Sequence, residues 1–300
     1  MKQTWARVVE LEAEFWPEVQ EEAGMRIPPS THTSTNVRPS GHYLRTLALV
    51  SLVGIGAYAA GAIAPHPVFS FIAPRPAPGP PANPDSPESL AYAASLEEAL
   101  QSLPLLNTLR NQPDADEWYE VRPYKRFPEE RRVNNLTAGA LRGPGKLALI
   151  PLVRSKYDES EAIAFIHVGR GLCGHDGIIH GGLLATLLDE GLARTAINNL
   201  PDKIGVTANL AMNYRAPTFA DQFIVLKVRL LDQNGRKSKV AGRVEDLKGN
   251  VLVEASATFV QPKYANMLSN SVVKQAMGEP EPKGAPVLLS EGVPPPAKKS

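Results

Sequence analysis

The apolar pattern that organises this chain runs from Gly177 to Arg194. Ile178, Ile179, Leu183, Leu184, Leu187, Leu188, Leu192 and Ile197 cover a helix on nearly every side. A helix apolar around its whole circumference is buried. His180-Gly181-Gly182 opens it, and Asp189 lies nine residues after the histidine. At about 100° per residue, Asp189 has Ala185, Thr186, Leu192 and Ala193 as surface neighbours. Glu190 faces Arg194 instead, an (i, i+4) pair suited to water. Asp189 either shares that wet stripe or is a carboxylate ringed by small apolar groups, which is costly and marks function.

Period-two alternation flanks this helix. Lys146–Val153 and Glu161–Val168 precede it as strands, with Pro151 placing the first at an edge or bulge. Ile204–Arg215 follows, with Ile204, Val206, Ala208, Leu210, Met212 and Tyr214 on one face. Thr207, Asn209, Asn213 and Arg215 take the other, and either a bulge near the strand start or a reversed parity would return Thr207 to the apolar side. Phe223–Leu231, Lys237–Glu245 and Val251–Val260 complete an antiparallel meander. Asn234-Gly235 and Lys248-Gly249-Asn250 supply its turns. Upstream, Ser86-Pro87-Glu88 is a helix opening, with apolar positions through about Arg110 and a break at Pro104. Trp118, Tyr119 and the basic residues Lys125, Arg126, Arg131 and Arg132 read as a solvated loop or short helix.

The N-terminal part has another pattern. Residues 1–24 form an acidic, weakly amphipathic stretch, and Met25 is a candidate start. From Gly24 to Pro84 there is no Asp or Glu, while Arg26, Arg38 and Arg45 stand among hydroxyl residues. That composition marks an organellar transit peptide. Residues 44–64 carry one charge, Arg45, and are just long enough for a transmembrane helix. Small residues such as Gly54, Gly56 and Gly61 allow close helix approach. The expected organisation is a presequence-bearing segment 1–43, a membrane helix 44–64, a Pro-rich linker 65–85, a helical lead-in 86–144, a folded domain 145–262 and a disordered tail 263–300. The presequence and span fit a single-pass protein of the mitochondrial inner membrane.

A net charge of +1 implies no nucleic-acid partner. The single cysteine, Cys173, cannot form an intramolecular disulfide, and as a small apolar filler it is a poor nucleophile candidate.

Two strands, one long buried helix and four strands make an α+β chain whose antiparallel sheet wraps around the helix: the hotdog architecture. Residues 145–262 resemble the hotdog-fold acyl-CoA thioesterases, in particular the mitochondrial thioesterase-superfamily-member type. The resemblance rests jointly on G-I-I-H-G-G-L-L-A-T-L-L-D, V-T-A-N-L-A-M-N-Y-R-A-P and G-R-K-S. It implies hydrolysis of acyl-CoA without a metal or other cofactor, and a homodimer or tetramer.

Unpaired amides at the helix start, at Gly181 and Gly182, are an oxyanion hole for the thioester oxygen. The resemblance assigns that role to Gly181. His180 orients or donates to the carbonyl, or else is a structural helix cap. Asp189 is the candidate general base or, less simply, the nucleophile. Two and a half turns place His180 and Asp189 on opposite sides, about 13 Å apart along the axis. They meet only across a two-fold dimer. By resemblance, Thr207 positions the water beside Asp189, and Asn213, Arg215, Arg236 and Lys237 contact the nucleotide. Some family members carry Asn six residues before the histidine, where this chain has Gly174. The alternative is a non-catalytic acyl-CoA-binding or membrane-scaffolding module.

Overall fold

The computed structural model describes residues 48–56, 58, 83, 85–267, 271–278, 280, 289–290 and 293. The acidic stretch, the presequence and the linker over 65–82 lie outside them, as do parts of the 44–64 run. Within that run residues 48–56 and 58 are helical. Leu49, Val50, Leu52, Val53, Ile55 and Tyr58 are all exposed there. Among the described residues no helix is long and apolar enough to cross a membrane.

Further along the chain come two helices, α1 (Pro87–Gln101) and α2 (Pro104–Arg110). Ser86 caps α1 by accepting the Ser89 amide, and each helix starts on a proline, whose missing N–H costs nothing there. After β1 (Trp118–Val121) comes the short α3 (Glu129–Arg132). Next are β2 (Leu152–Lys156), β3 (Glu161–Val168) and a small hairpin of β4 (Cys173–His175) and β5 (Ile178–Ile179). The long helix α4 (Gly181–Asn198) follows, then β6 (Val206–Tyr214), β7 (Gln222–Asn234), β8 (Lys237–Asp246), β9 (Val251–Val260) and α5 (Ser271–Met277).

Seven strands form one antiparallel sheet in the order β1-β2-β3-β7-β8-β9-β6. Its inner face curls round α4. Leu184, Leu187, Leu188 and Leu192 share one core with Ile166, Leu226, Val240, Val253 and Phe259. This is the hotdog arrangement. The outer face of β2, β3 and β7 is covered too, by Leu100 and Leu106 packed on Leu152, Phe165, Phe223 and Val225. Residues 223–226 are therefore buried on both faces and lose the alternation seen further along β7.

Three expectations are corrected. The strand read at Lys146–Val153 begins only at Leu152. Pro151 has no N–H for the ladder, and the apolar residues before it, Leu147, Leu149 and Ile150, are buried in an irregular connection. Trp118 and Tyr119 belong to an edge strand paired with β2, not to a solvated loop. Arg132 of the basic run is 3% exposed and donates to the Phe127 and Tyr124 carbonyls.

The tail expected to be disordered from 263 also contributes to the fold. The Ala276 carbonyl accepts the Tyr124 amide at 2.7 Å, and Met277 O accepts from Arg194. Gly278 has φ +73°, and a Cβ there would lie 2.5 Å from Val121 Cγ2. Ser290 is buried, and its amide donates to Glu97 Oε2 at 3.1 Å.

Candidate active site

His180 is the N-cap of α4, and its Nδ1 accepts the Gly182 amide at 2.9 Å. An accepting Nδ1 in a neutral ring leaves the proton on Nε2, so the exposed ring offers an N–H donor outward. The cap reading and the donor reading of His180 are thus compatible. The bond also occupies the Gly182 amide, which leaves Gly181 as the helix-start N–H for an oxyanion. Gly174 explains the absence of a side chain beneath the histidine, since a Cβ there would come within 3.0 Å of His180 Cδ2. Tyr214, which the sequence pattern marked only as apolar, donates its hydroxyl to the Gly181 carbonyl at 2.8 Å.

Asp189 is half-buried in this single chain rather than sealed in the core. Its Oδ1 accepts a 2.9 Å hydrogen bond from Thr207 Oγ1. Strict alternation would have turned Thr207 away from α4. The β6–β9 register slips between Thr207 and Asn209, and this bulge puts Thr207 on the same face as Leu210 and Met212, which pack on the core.

Glu190 and Arg194 do not form the solvent-facing pair that their spacing suggested. Thr137 donates to Glu190 from the segment packed over the helix, and so does Tyr124. Arg194 is 6% exposed and donates to the Tyr119 hydroxyl and to Met277 O. The tyrosines that claim these charges are about 70 residues upstream, beyond any helix-period argument.

Burial pushes the Glu190 carboxyl above the usual range, and the neighbouring Asp189 adds to it, while the Thr137 and Tyr124 donors pull the other way. An unfolded glutamate ionises near about 4.3. As pH rises from there through the higher folded value, the unfolded chain loses its proton first and stability falls. Glu190→Gln will therefore gain stability over the parent at pH 8, and the gain will vanish towards pH 4. Urea midpoints at the two pH values measure it.

The nucleotide candidates fall into two groups. Asn213 and Arg215 lie at the Tyr214 end of β6, where Arg215 Nε reaches Glu254 Oε2 at 2.7 Å. Arg236 and Lys237 lie at the Thr207 end, because Lys237 and Val206 both oppose Val260. The Arg236 guanidinium donates to the Gln261 carbonyl at 3.0 Å, and Lys237 is exposed. Each end of the strand thus has its own catalytic candidate and its own cations. Burial raises the pKa of the Cys173 thiol, the reverse of what an activated nucleophile needs. Among the described residues no cluster of His, Cys, Asp or Glu is arranged to hold a metal ion.

Residues 176–253, which contain both helix-start glycines, Asp189 and Thr207, match the family model described as thioesterase superfamily. UPF0644 protein PB2B4.06 of Schizosaccharomyces pombe is 31% identical over 183 residues, 59% of this chain and 69% of its own. The uncharacterized mitochondrial membrane protein FMP10 of Saccharomyces cerevisiae is 33% identical over 176 residues, 57% of this chain and 68% of its own. Mouse acyl-coenzyme A thioesterase THEM4 is 29% identical over 104 residues, 34% of this chain and 44% of its own. With a hotdog sheet around α4 and matches running across it, the chain belongs to the thioesterase superfamily.

Proposed function

We propose that this protein is an acyl-CoA thioesterase whose sites form between two copies of the chain. The observation that carries the reading is the Thr207–Asp189 hydrogen bond, which leaves a half-exposed carboxylate with one oxygen oriented and the other available to a water. That water loses a proton to Asp189 as its oxygen bonds to the thioester carbon. The oxyanion so formed takes the Gly181 amide and the Nε2–H of His180 from the facing copy. When the tetrahedral carbon collapses, the C–S bond breaks. Asp189 returns its proton to the departing thiolate, giving the free acid and CoA.

The two-fold arrangement follows from the spacing along α4 and is supported by the sheet edge. β6 has no partner on its outer side among the described residues, and Val206 and Tyr214 at its two ends are more than half exposed. An exposed nine-residue edge is a pairing hazard unless another surface covers it. An antiparallel second copy would bring the Tyr214 end of one strand to the Thr207 end of the other. Asn213 and Arg215 of one chain then stand with Arg236 and Lys237 of its twin around the CoA phosphates. The 44–64 run serves as a single membrane anchor, and the exposed apolar helix at 48–56 supports that. The acid-free presequence and the similarity to FMP10, a mitochondrial membrane protein, favour a mitochondrial membrane, and the absence of acids between Gly24 and the span suits the inner one.

Free-thiol release from a panel of acyl-CoAs by the detergent-solubilised chain tests the reaction. Thr207→Ala will lower kcat about tenfold to a hundredfold, with KM little changed, because it loosens the base and its water rather than the CoA contacts. Saturable acyl-CoA binding with no thiol release would make the protein a binding module instead.

A further inference from the structure

The proposed reaction leaves the second glycine of His180-Gly181-Gly182 without a task, because His180 Nδ1 takes its amide at 2.9 Å. That same bond accounts for the missing side chain. A Cβ at position 182 would lie 2.9 Å from His180 Nδ1 and 3.0 Å from Cε1, so a larger residue pushes the imidazole away. The peptide joining Gly181 to Gly182 is held from its other end too. Its carbonyl accepts the Tyr214 hydroxyl at 2.8 Å. The tyrosine ring lies against Gly181, with Cε1 and the hydroxyl 3.4 Å from where a Cβ would stand. The backbone on either side is anchored. His180 N donates to the Leu172 carbonyl at 2.9 Å. Ile179 N donates at 2.8 Å to Thr218, on the connection that leaves β6 after Tyr214. A line of hydrogen bonds therefore runs from the Tyr214 hydroxyl through one peptide group to the imidazole.

Each bond in such a line polarises the next. A peptide whose oxygen accepts a hydroxyl proton is a stronger donor at its nitrogen. That donor points at Nδ1 and leaves no room for a proton there. We propose that Tyr214 and Gly182 are positioning residues for His180: together they hold the imidazole in the tautomer with its proton on Nε2 and fix the direction in which that N–H points. They act through the histidine, not on the reacting atoms. The inference rests on the hydrolase reading, in which the Nε2–H meets the acyl oxygen. It divides the glycine pair: the Gly181 amide serves the oxyanion, and the Gly182 amide serves the histidine. It also gives a use to the hydroxyl of Tyr214, a residue more than half exposed at the end of β6.

The test takes the detergent-solubilised full chain with two substitutions. Tyr214→Phe keeps the ring and removes the hydroxyl, and Gly182→Ala crowds Nδ1. Alanine is the better helix former, so a glycine with only a structural role predicts unchanged turnover and a melting temperature no lower than the parent's. Ring ¹⁵N spectra at pH 8 should show a bare Nδ1 and a protonated Nε2 for His180 in the parent. In both variants the two signals should draw together as the other tautomer becomes populated. In acyl-CoA hydrolysis kcat should fall about tenfold, with KM close to the parent value. Ring signals unmoved in both variants would overturn the proposal, as would moved signals with kcat at the parent value. A loss seen only as a higher KM would put Tyr214 and Gly182 on the path of the substrate instead, and would also overturn it. A parent chain that releases no thiol fails the hydrolase reading and the positioning role with it, whereas thiol release with unmoved ring signals fails the positioning role alone.

Discussion

Asp189→Asn will lower acyl-CoA hydrolysis by about 10²–10⁴-fold, the usual contribution of a positioned general base. Asparagine keeps the size of the side chain and can still accept from Thr207, so the fold and the half-buried setting of residue 189 persist. It cannot take a proton from water at neutral pH, so the loss should fall on kcat, with KM close to the parent value. The same variant tests whether the site is shared. His180→Ala supplies a chain with its base intact and its cap histidine gone. If one site takes His180 from one copy and Asp189 from the other, each mixed dimer has one complete site and one doubly defective site. Random mixing of Asp189→Asn and His180→Ala chains should then recover about a quarter of the parent rate. If each site lies within one chain, mixing recovers nothing, and the two-copy mechanism fails.

The second large effect is on stability. Glu97→Leu will destabilise the fold by about 3–5 kcal/mol, because it strands a buried positive charge. The side chains of Arg122 and Glu97 are 0% and 3% exposed and form an ion pair between α1 and the residue just after β1. Arg122 also donates to the Ile150 carbonyl at 2.6 Å, and Glu97 accepts from Gln101 at 2.8 Å and from the Ser290 amide. Burial holds the Arg122 guanidinium below its ordinary pKa, with Glu97 opposing that shift. Pairing therefore offsets a real desolvation cost. Glu97→Leu with Arg122→Met removes both charges and should recover much of the loss, since apolar replacements of a buried pair are often tolerated. Urea unfolding of the two variants measures the difference. A domain of ordinary stability has about 5–15 kcal/mol in total, so the single variant will be close to unfolding.

The parts of the fold with strong local periodicity were legible in the sequence. The α4 stripe, the alternation of β6 and the Asn234-Gly235 turn each point to one element, and each is where it was expected. What escaped depended on distant partners. β1 is four residues long with Glu120 at its centre, and it becomes a strand because Arg110 and Arg154 neutralise that acid while Tyr119 and Val121 enter the core. Glu190 and Arg194 looked like a helix-surface pair because Tyr124, Thr137 and Tyr119 fold back over them from outside the recognisable motif. Thr207 showed the limit of alternation in another way. Its residue type pointed to a role beside Asp189 while its parity pointed away, and a bulge of the kind that would reconcile the two is present.

The returning tail has a practical consequence. A protein trimmed just after Val260, where the sheet ends, would keep every strand and all of α4. It would nonetheless leave the Tyr124 amide, the Arg194 guanidinium and Glu97 each short of an acceptor or donor that residues 276–290 supply. Measurements on such a trimmed chain would understate the robustness of the full one, and a protease nick near residue 270 would weaken the fold without touching Asp189 or Thr207.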